Sequence, residues 1–266
     1  MVFISRRQPI VLYTDNQERA DGIIDEFVHN VNTPTVFPGI SKPDFLHSLR
    51  NNIRNPRSIN QCNNGCCGAT ALSKYMAEER PELYARTAIS LYTTGKSVNN
   101  GVTLSVTKDM MTGTMFDLWK FGGGMSPTDA IVQGAIINSA NSILSFNPFR
   151  GQTGLNTLMW PGKIRDFLTG YVGTTVKTVL LPTTYALQNT DYQRCFVIGL
   201  VHHSTYSITN ASVHIPNHYV QLTGMKDDTV YYWTWGEEYD RTSHINGIPN
   251  GIYEMFVVDR SGLYTI

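Results

Sequence analysis

The sequence predicts an α+β fold in which helices come first and an antiparallel sheet follows. Three observations carry that expectation. Apolar residues recur at three- and four-residue spacing through the first two thirds of the chain. After Val172 the pattern changes to short runs rich in Val, Ile, Tyr and Trp, separated by turn residues. The chain has 266 residues, enough for a sizeable core, and the order of helical and extended segments is that of an α+β protein.

Taken in order, Gln8–Tyr13 reads as a short strand. Residues 16–29 read as a helix with Asp15 as N-cap, and residues 42–53 as a second helix, with Ser41 as N-cap and Pro43 in its first turn. Residues 55–65, full of Asn, Pro, Arg and Ser, form a loop. Residues 67–79 place Ala71, Leu72, Tyr75 and Met76 on one helical face. Pro81 opens a further helix that Gly95 ends, and 107–120 is helical with an interruption at Gly113. Ser126-Pro127-Thr128-Asp129 is a helix start, and that helix should reach about Leu144. Pro161–Leu168 is one more helix. Strands are expected at 175–181, 195–202, 218–225, 229–235 and 253–258, with Lys226-Asp227-Asp228 as a hairpin turn. The domain reading is an N-terminal helical extension over 1–54, then one domain over 55–266 with a helical insert at about 81–126.

Composition narrows the function. Twenty-one basic residues balance 21 acidic ones, so the chain lacks the basic surplus of a protein whose main affinity is for nucleic acid. Only 16% of residues are charged, against about 25% in ordinary globular chains; Asn and Tyr supply much of the polarity. The apolar runs are of strand length, far below the ~20 residues of a spanning helix, so no membrane span is expected. Met1–Ile10 contains Arg6-Arg7 with no apolar stretch behind it, which is not a signal peptide. The expected location is cytoplasmic as made, or outside the cell by a signal-independent route.

Three of the four cysteines, Cys62, Cys66 and Cys67, fall within six residues. A loop of Asn and Gly runs into a helix with a cysteine at the junction. A helix N-terminus carries partial positive charge and unpaired N–H groups, which favour thiolate and lower a thiol's pKa. Gly68 and Ala69 keep the approach to the sulfur small. A thiolate needs a base on a rigid element, and His218, at the head of an expected strand, supplies one.

These residues carry a resemblance. Gln61 stands six residues before Cys67-Gly68; the run Phe196–Val201 is followed by His218-Tyr219-Val220 and then by 229–236, with Trp233-Thr234-Trp235-Gly236 at its end. In that order and spacing the chain resembles the papain-like cysteine peptidases, above all the bacterial branch that includes the double-glycine peptidases. Trp160–Leu168 is similar to a helix that bacterial members carry between the two catalytic segments. The likeness spans roughly residues 60–258. It implies that Cys67 is the nucleophile, His218 the general base and acid, and Gln61 a side-chain donor to the oxyanion. Losing one such donor costs ~2.7–4 kcal/mol of transition-state stabilisation. The third member of such a triad, an Asn or Asp about sixteen residues after the His, is here Thr234, with Glu237 and Glu238 as the alternatives. A Thr hydroxyl can accept a hydrogen bond from imidazole but cannot balance its charge as a carboxylate does.

The function these implications predict is peptide-bond hydrolysis through a thiol, in a bacterial toxin or effector. The partners are a protein or peptide substrate and an immunity or inhibitor protein, with no metal or organic cofactor. Two other classes stand beside it: a cell-wall amidase or endopeptidase using Glu237 or Glu238, and a binding module on a decayed protease scaffold. Blander readings of the cysteines are an inert helix-start thiol, a Cys62–Cys66 or Cys66–Cys67 disulfide, and a zinc site in which the three clustered cysteines join His202, His203 or His214. Cys195 reads as a core strand residue. Trp233 and Trp235 read as packing, with Trp235-Gly236 placed to lie over the histidine. Gly122–Gly124 lacks the surroundings of a phosphate cradle.

Overall fold

Two helices that are buried on nearly every side set the architecture. In the computed structural model, which describes residues 15–30, 33–141, 145–153, 155–202, 216–227, 229–241 and 251–260, α3 (Cys67–Glu79) buries every residue from Cys67 to Ala77. The helix α7 (Pro127–Ala140) buries every residue from Pro127 to Ile137. A helix buried all round belongs at the centre of a core. Around these two pack α1 (Asp15–His29), α2 (Lys42–Arg54) and α4 (Pro81–Thr94). Phe27, Phe45, Tyr92 and Phe37 bring their rings together between them.

Local chemistry fixes the helix ends. The Ser41 hydroxyl accepts the Asp44 N–H at 3.2 Å with Pro43 in the first turn, and the Ser126 hydroxyl accepts the Asp129 N–H at 3.1 Å. Gly95 stops α4 in the left-handed region at φ 74°.

The segment after α4 departs from the all-helical expectation. It forms a hairpin of β1 (Lys96–Asn99) and β2 (Val102–Ser105). Asn100 and Gly101 sit at φ 47° and 77° in the turn, a two-residue signal in the sequence that points to such a hairpin. The helix expected over 107–120 is two short ones, α5 (Lys108–Met111) and α6 (Met115–Lys120). They part at Gly113, where any side chain would overlap the Phe149 ring. The strand expected at 8–13 lies outside the described residues, whereas the helix expected to reach about Leu144 ends at Ala140, where Asn141 turns to extended backbone as its C-cap.

The helix α8 (Pro161–Asp166) continues as a π-helical turn over Phe167–Val172, four residues past the expected stop. The second half is a six-stranded antiparallel sheet of β3 (Lys177–Leu180), β4 (Cys195–His202), β5 (Pro216–Lys226), β6 (Thr229–Thr234), β7 (Glu237–Arg241) and β8 (Ile252–Asp259), in the order β3-β8-β4-β5-β6-β7. Edge strand β7 and the five-residue helix α9 (Thr184–Gln188) follow no apolar pattern strong enough to predict them. Strand alternation gives the sheet two faces. Phe196, Ile198, Leu200, Tyr219, Phe256 and Val258 join the helical core. Val197, Val201, Val220, Leu222 and Tyr232 form a second core under Leu187 of α9. Cys195, expected in the core, is only half-buried because it starts β4.

One charge is locked between helix and sheet. Lys74 of α3 is 2% exposed; its ammonium bonds the Glu78 carboxylate and lies 5.0 Å from the Trp233 ring and 5.6 Å from the Phe196 ring. Arg260, just past β8, closes the cluster on Glu78 at 3.0 Å and Glu79 at 3.1 Å. Burial pulls the Lys74 ammonium below its usual range against the opposing pull of Glu78. This cluster clamps α3, and with it Cys67, onto the sheet.

Candidate active site

The loop 55–66 reaches α3 through a tight, hydrogen-bonded path. It begins with a 3-10 turn over Pro56–Ser58. Cys62 takes a left-handed φ of 49°, and the Asn64 N–H closes onto the Gln61 carbonyl at 3.0 Å. The Gly65 N–H bonds the Gln152 carbonyl at 2.9 Å. Gln61 is buried within this turn.

The adjacent cysteines part company at the helix start. Cys66 is the N-cap residue and is fully buried; its thiol donates to Gln133 Oε1 of α7 at 3.2 Å. Cys67 is the first helical residue, and its sulfur accepts the Tyr219 backbone N–H of β5 at 3.4 Å. Cys66 therefore faces the helical core, while Cys67 meets the head of the strand that carries His218. Gly68 beside it is closely packed, since a Cβ there would come within 3.1 Å of Met159 Cβ and 3.2 Å of Ile164 Cδ1. The Met159 carbonyl is in turn held by the Tyr219 hydroxyl at 3.0 Å.

His218 and Thr234 are brought together. Pairing of β5 with β6 sets Gln221 opposite Trp233, so the residue after Trp233 comes alongside the start of β5. His218 Nε2 and Thr234 Oγ1 lie 2.7 Å apart, with both residues buried. The Trp235 ring covers the imidazole at 5.0 Å between centroids and 42° between planes. Glu237 and Glu238 are exposed. Glu238 pairs with Arg57 at 3.1 Å, and Glu237 accepts the Tyr239 hydroxyl at 3.1 Å.

The electrostatics run against the simple helix-terminus expectation. Burial pushes the Cys67 thiol up to about 11, and the backbone N–H groups of Tyr219, Gly68 and Cys67 itself pull it back only in part. Burial dominates because the sulfur is enclosed in the core beside the Tyr219 backbone rather than at an open helix end. Cys66 is pushed up further by burial and by the neighbouring Cys67. Cys62 is raised to about 11 by burial and then by the Asp129 charge.

All four cysteines are free thiols, so neither disulfide considered from the sequence is formed. Among the described residues no group of three or more His, Cys, Asp or Glu could hold a metal ion; His203 and His214 lie outside those residues. His202 is buried at the end of β4. Among the described residues no helix is long and apolar enough to cross a membrane.

Sequence reasoning overlooked the residues behind the site. Asn60 precedes Gln61, and its side chain bonds both the Cys62 N–H and the Trp235 carbonyl. Asp129 accepts the Asn60 N–H at 3.4 Å and Asn52 Nδ2 at 2.9 Å. Gln133 reaches the Asn60 carbonyl at 3.3 Å while its own oxygen takes Cys66 Sγ and Thr70 Oγ1. Asp129 was legible only as a helix-start residue, and Gln133 only as a polar interruption of an apolar helix. Comparison with protein-family models, with curated proteins and with solved structures found no match.

Proposed function

We propose that the protein is a papain-like thiol hydrolase that cleaves peptide bonds, with Cys67 as nucleophile and His218 as its base and acid. The observation that carries this reading is the meeting of α3 and β5. The Cys67 sulfur lies on the Tyr219 N–H, one residue from a histidine whose Nε2 is engaged by Thr234. In a Cys–His pair the imidazole takes the thiol proton, and the resulting ion pair makes thiolate at a pH where an isolated buried thiol stays protonated. Thr234 and Trp235 then serve to hold the ring.

The reaction follows from those roles. The Cys67 thiolate adds to the scissile carbonyl, forming a C–S bond and an oxyanion. Gln61 and the Cys67 N–H are the donors assigned to that oxygen. The imidazolium of His218 gives its proton to the amide nitrogen as the C–N bond breaks, releasing the amine and leaving a thioester. His218 then takes a proton from water, the hydroxide adds to the thioester, and loss of thiolate releases the acid. Leu158 and Trp160, exposed on either side of buried Met159, offer an apolar ledge for a polypeptide beside Gly68. A bacterial toxin or effector acting on a target-cell protein fits this chemistry.

A second reading, a non-catalytic binding module on the same scaffold, is favoured by the thiol's rise to about 11. The amidase reading loses support because Glu238 is engaged by Arg57 and Glu237 is turned to solvent. The test is digestion of a denatured protein mixture and of purified peptidoglycan, with mass spectrometry for new termini. New peptide termini that vanish in Cys67→Ala support the proposal. Release of wall fragments alone would move it to the amidase class, and no products from either would favour the binding module.

A further inference from the structure

We infer that Asn60 is a positioning residue that clasps the nucleophile's loop to the turn lying over His218; this rests on the proposed Cys–His reading of the site. Every polar group of Asn60 is used: the side chain bonds its own loop and the sheet turn, and the backbone bonds α7. Nδ2 donates to the Trp235 carbonyl at 2.7 Å, and Oδ1 accepts the Cys62 N–H at 2.8 Å. The backbone N–H donates to Asp129 at 3.4 Å, and the carbonyl accepts from Gln133 at 3.3 Å.

The two residues its side chain holds are both conformationally costly. Cys62 has φ 49° and Trp235 has φ 51°, in the left-handed region that side-chain-bearing residues seldom occupy. Such backbone persists only where its surroundings hold it in place. Each strained residue aims a part of the site. The Cys62 turn carries Gln61 on one side and leads into Cys67 on the other. The Trp235 turn follows Thr234 and lays its ring over His218.

Gly236 completes the contact: at φ 83°, a Cβ on it would stand 3.2 Å from Asn60 Nδ2, so this turn is pressed against the amide. One side chain thus spans the helical half of the site and the sheet half. Neighbouring links from Trp233 Nε1 to the Arg57 carbonyl at 3.2 Å and from Arg57 to Glu238 tie the same loop and turn together. Only Asn60 touches both strained residues among these. Its role is to set the sulfur and the imidazole in register rather than to touch substrate.

The test is the pH profile, from 5 to 10, of iodoacetamide alkylation at Cys67, read by mass spectrometry, in the full chain and in Asn60→Asp. That variant keeps the acceptor for the Cys62 N–H and sets an oxygen against the Trp235 carbonyl. Circular dichroism and thermal melting report whether it folds. The expected result is a folded protein whose alkylation at pH 6 falls about tenfold, the factor for one lost hydrogen bond. Toward pH 10, where a growing share of thiolate forms without His218, the rate should converge on the parent's. A purely structural role would not separate the two pH limbs. If Asn60→Asp does not fold, Asn60→Ser is read in the same way, and failure of both to fold overturns the inference by making Asn60 a folding residue. A parent with a fast acid limb and a variant with the same limb overturns the role of Asn60 alone. A parent with no acid limb overturns the Cys–His reading and this inference with it.

Discussion

Thr234→Val isolates the residue in which this site departs most from the papain-like pattern. Valine has the shape of threonine without its hydroxyl, so the change removes the 2.7 Å partner of His218 Nε2 while leaving the packing intact. Thr234 is 3% exposed and His218 is 4% exposed, so water has little access to replace the lost partner. An unsatisfied buried donor costs about 1–3 kcal/mol. That cost falls on the imidazolium, which needs both ring N–H groups engaged, more than on neutral imidazole, which can turn its bare nitrogen toward the gap. At ~1.36 kcal/mol per decade, the thiolate–imidazolium pair should lose roughly 5- to 150-fold of its population. The assay is the second-order rate of Cys67 alkylation by iodoacetamide at pH 6, with melting and circular dichroism to confirm the fold. A folded Thr234→Val protein with an unchanged rate would refute the reasoning, and Thr234 would then be a packing residue.

Three other outcomes follow from the surrounding structure. Lys74→Ala leaves Glu78 with Arg260 alone and should cost about 3 kcal/mol, the low end for a broken buried pair; Lys74→Met, which keeps the stem against the Phe196 and Trp233 rings, should cost less in chemical denaturation. Burial raises the Asp129 carboxyl to about 7 from an unfolded value near ~3.9. The folded chain therefore binds more protons than the unfolded chain between those values, and stability should fall as pH rises through that window, with Glu79, also raised to about 7 by burial, acting in the same sense. Denaturation at several pH values should show Asp129→Asn flattening that slope by up to ~1.4 kcal/mol per pH unit. Gly113→Ala drives a methyl group into the Phe149 ring, an overpacking change of about 1–3 kcal/mol, and should lower the melting temperature by at least a few degrees.

How much of this was legible in the sequence depends on how local the signal is. Residues 67–79 and 195–202 were read at the bounds observed, because each carries its apolar pattern over its whole length. The α2 cap was readable because Ser41 and Pro43 act within one turn. The Asn100-Gly101 hairpin carried a signal that was passed over in favour of the flanking helices. Strand β7 and helix α9 are short elements held by neighbours, with no periodicity of their own. At the site, the spacing of Gln61, Cys67, His218 and Thr234 placed residues that the structure sets at one end of α3 and the facing strands. The direction of the Cys67 shift was not legible, since it depends on what encloses the sulfur, and Tyr219 arrives from a strand 152 residues away. Asn60 was missed for the same reason, as its partner Trp235 lies 175 residues away.

The central claim is that His218 converts a buried, protonated thiol into a nucleophile. Its most direct test is the pH dependence of Cys67 alkylation in the unaltered protein against His218→Ala. The account predicts a rate that is nearly level from pH 6 to 8, well above that of a free thiol at pH 6, and lost at the acid end in His218→Ala. A single rise centred near 11, where burial offset in part by the backbone N–H groups places Cys67, and identical in the two proteins, would contradict it.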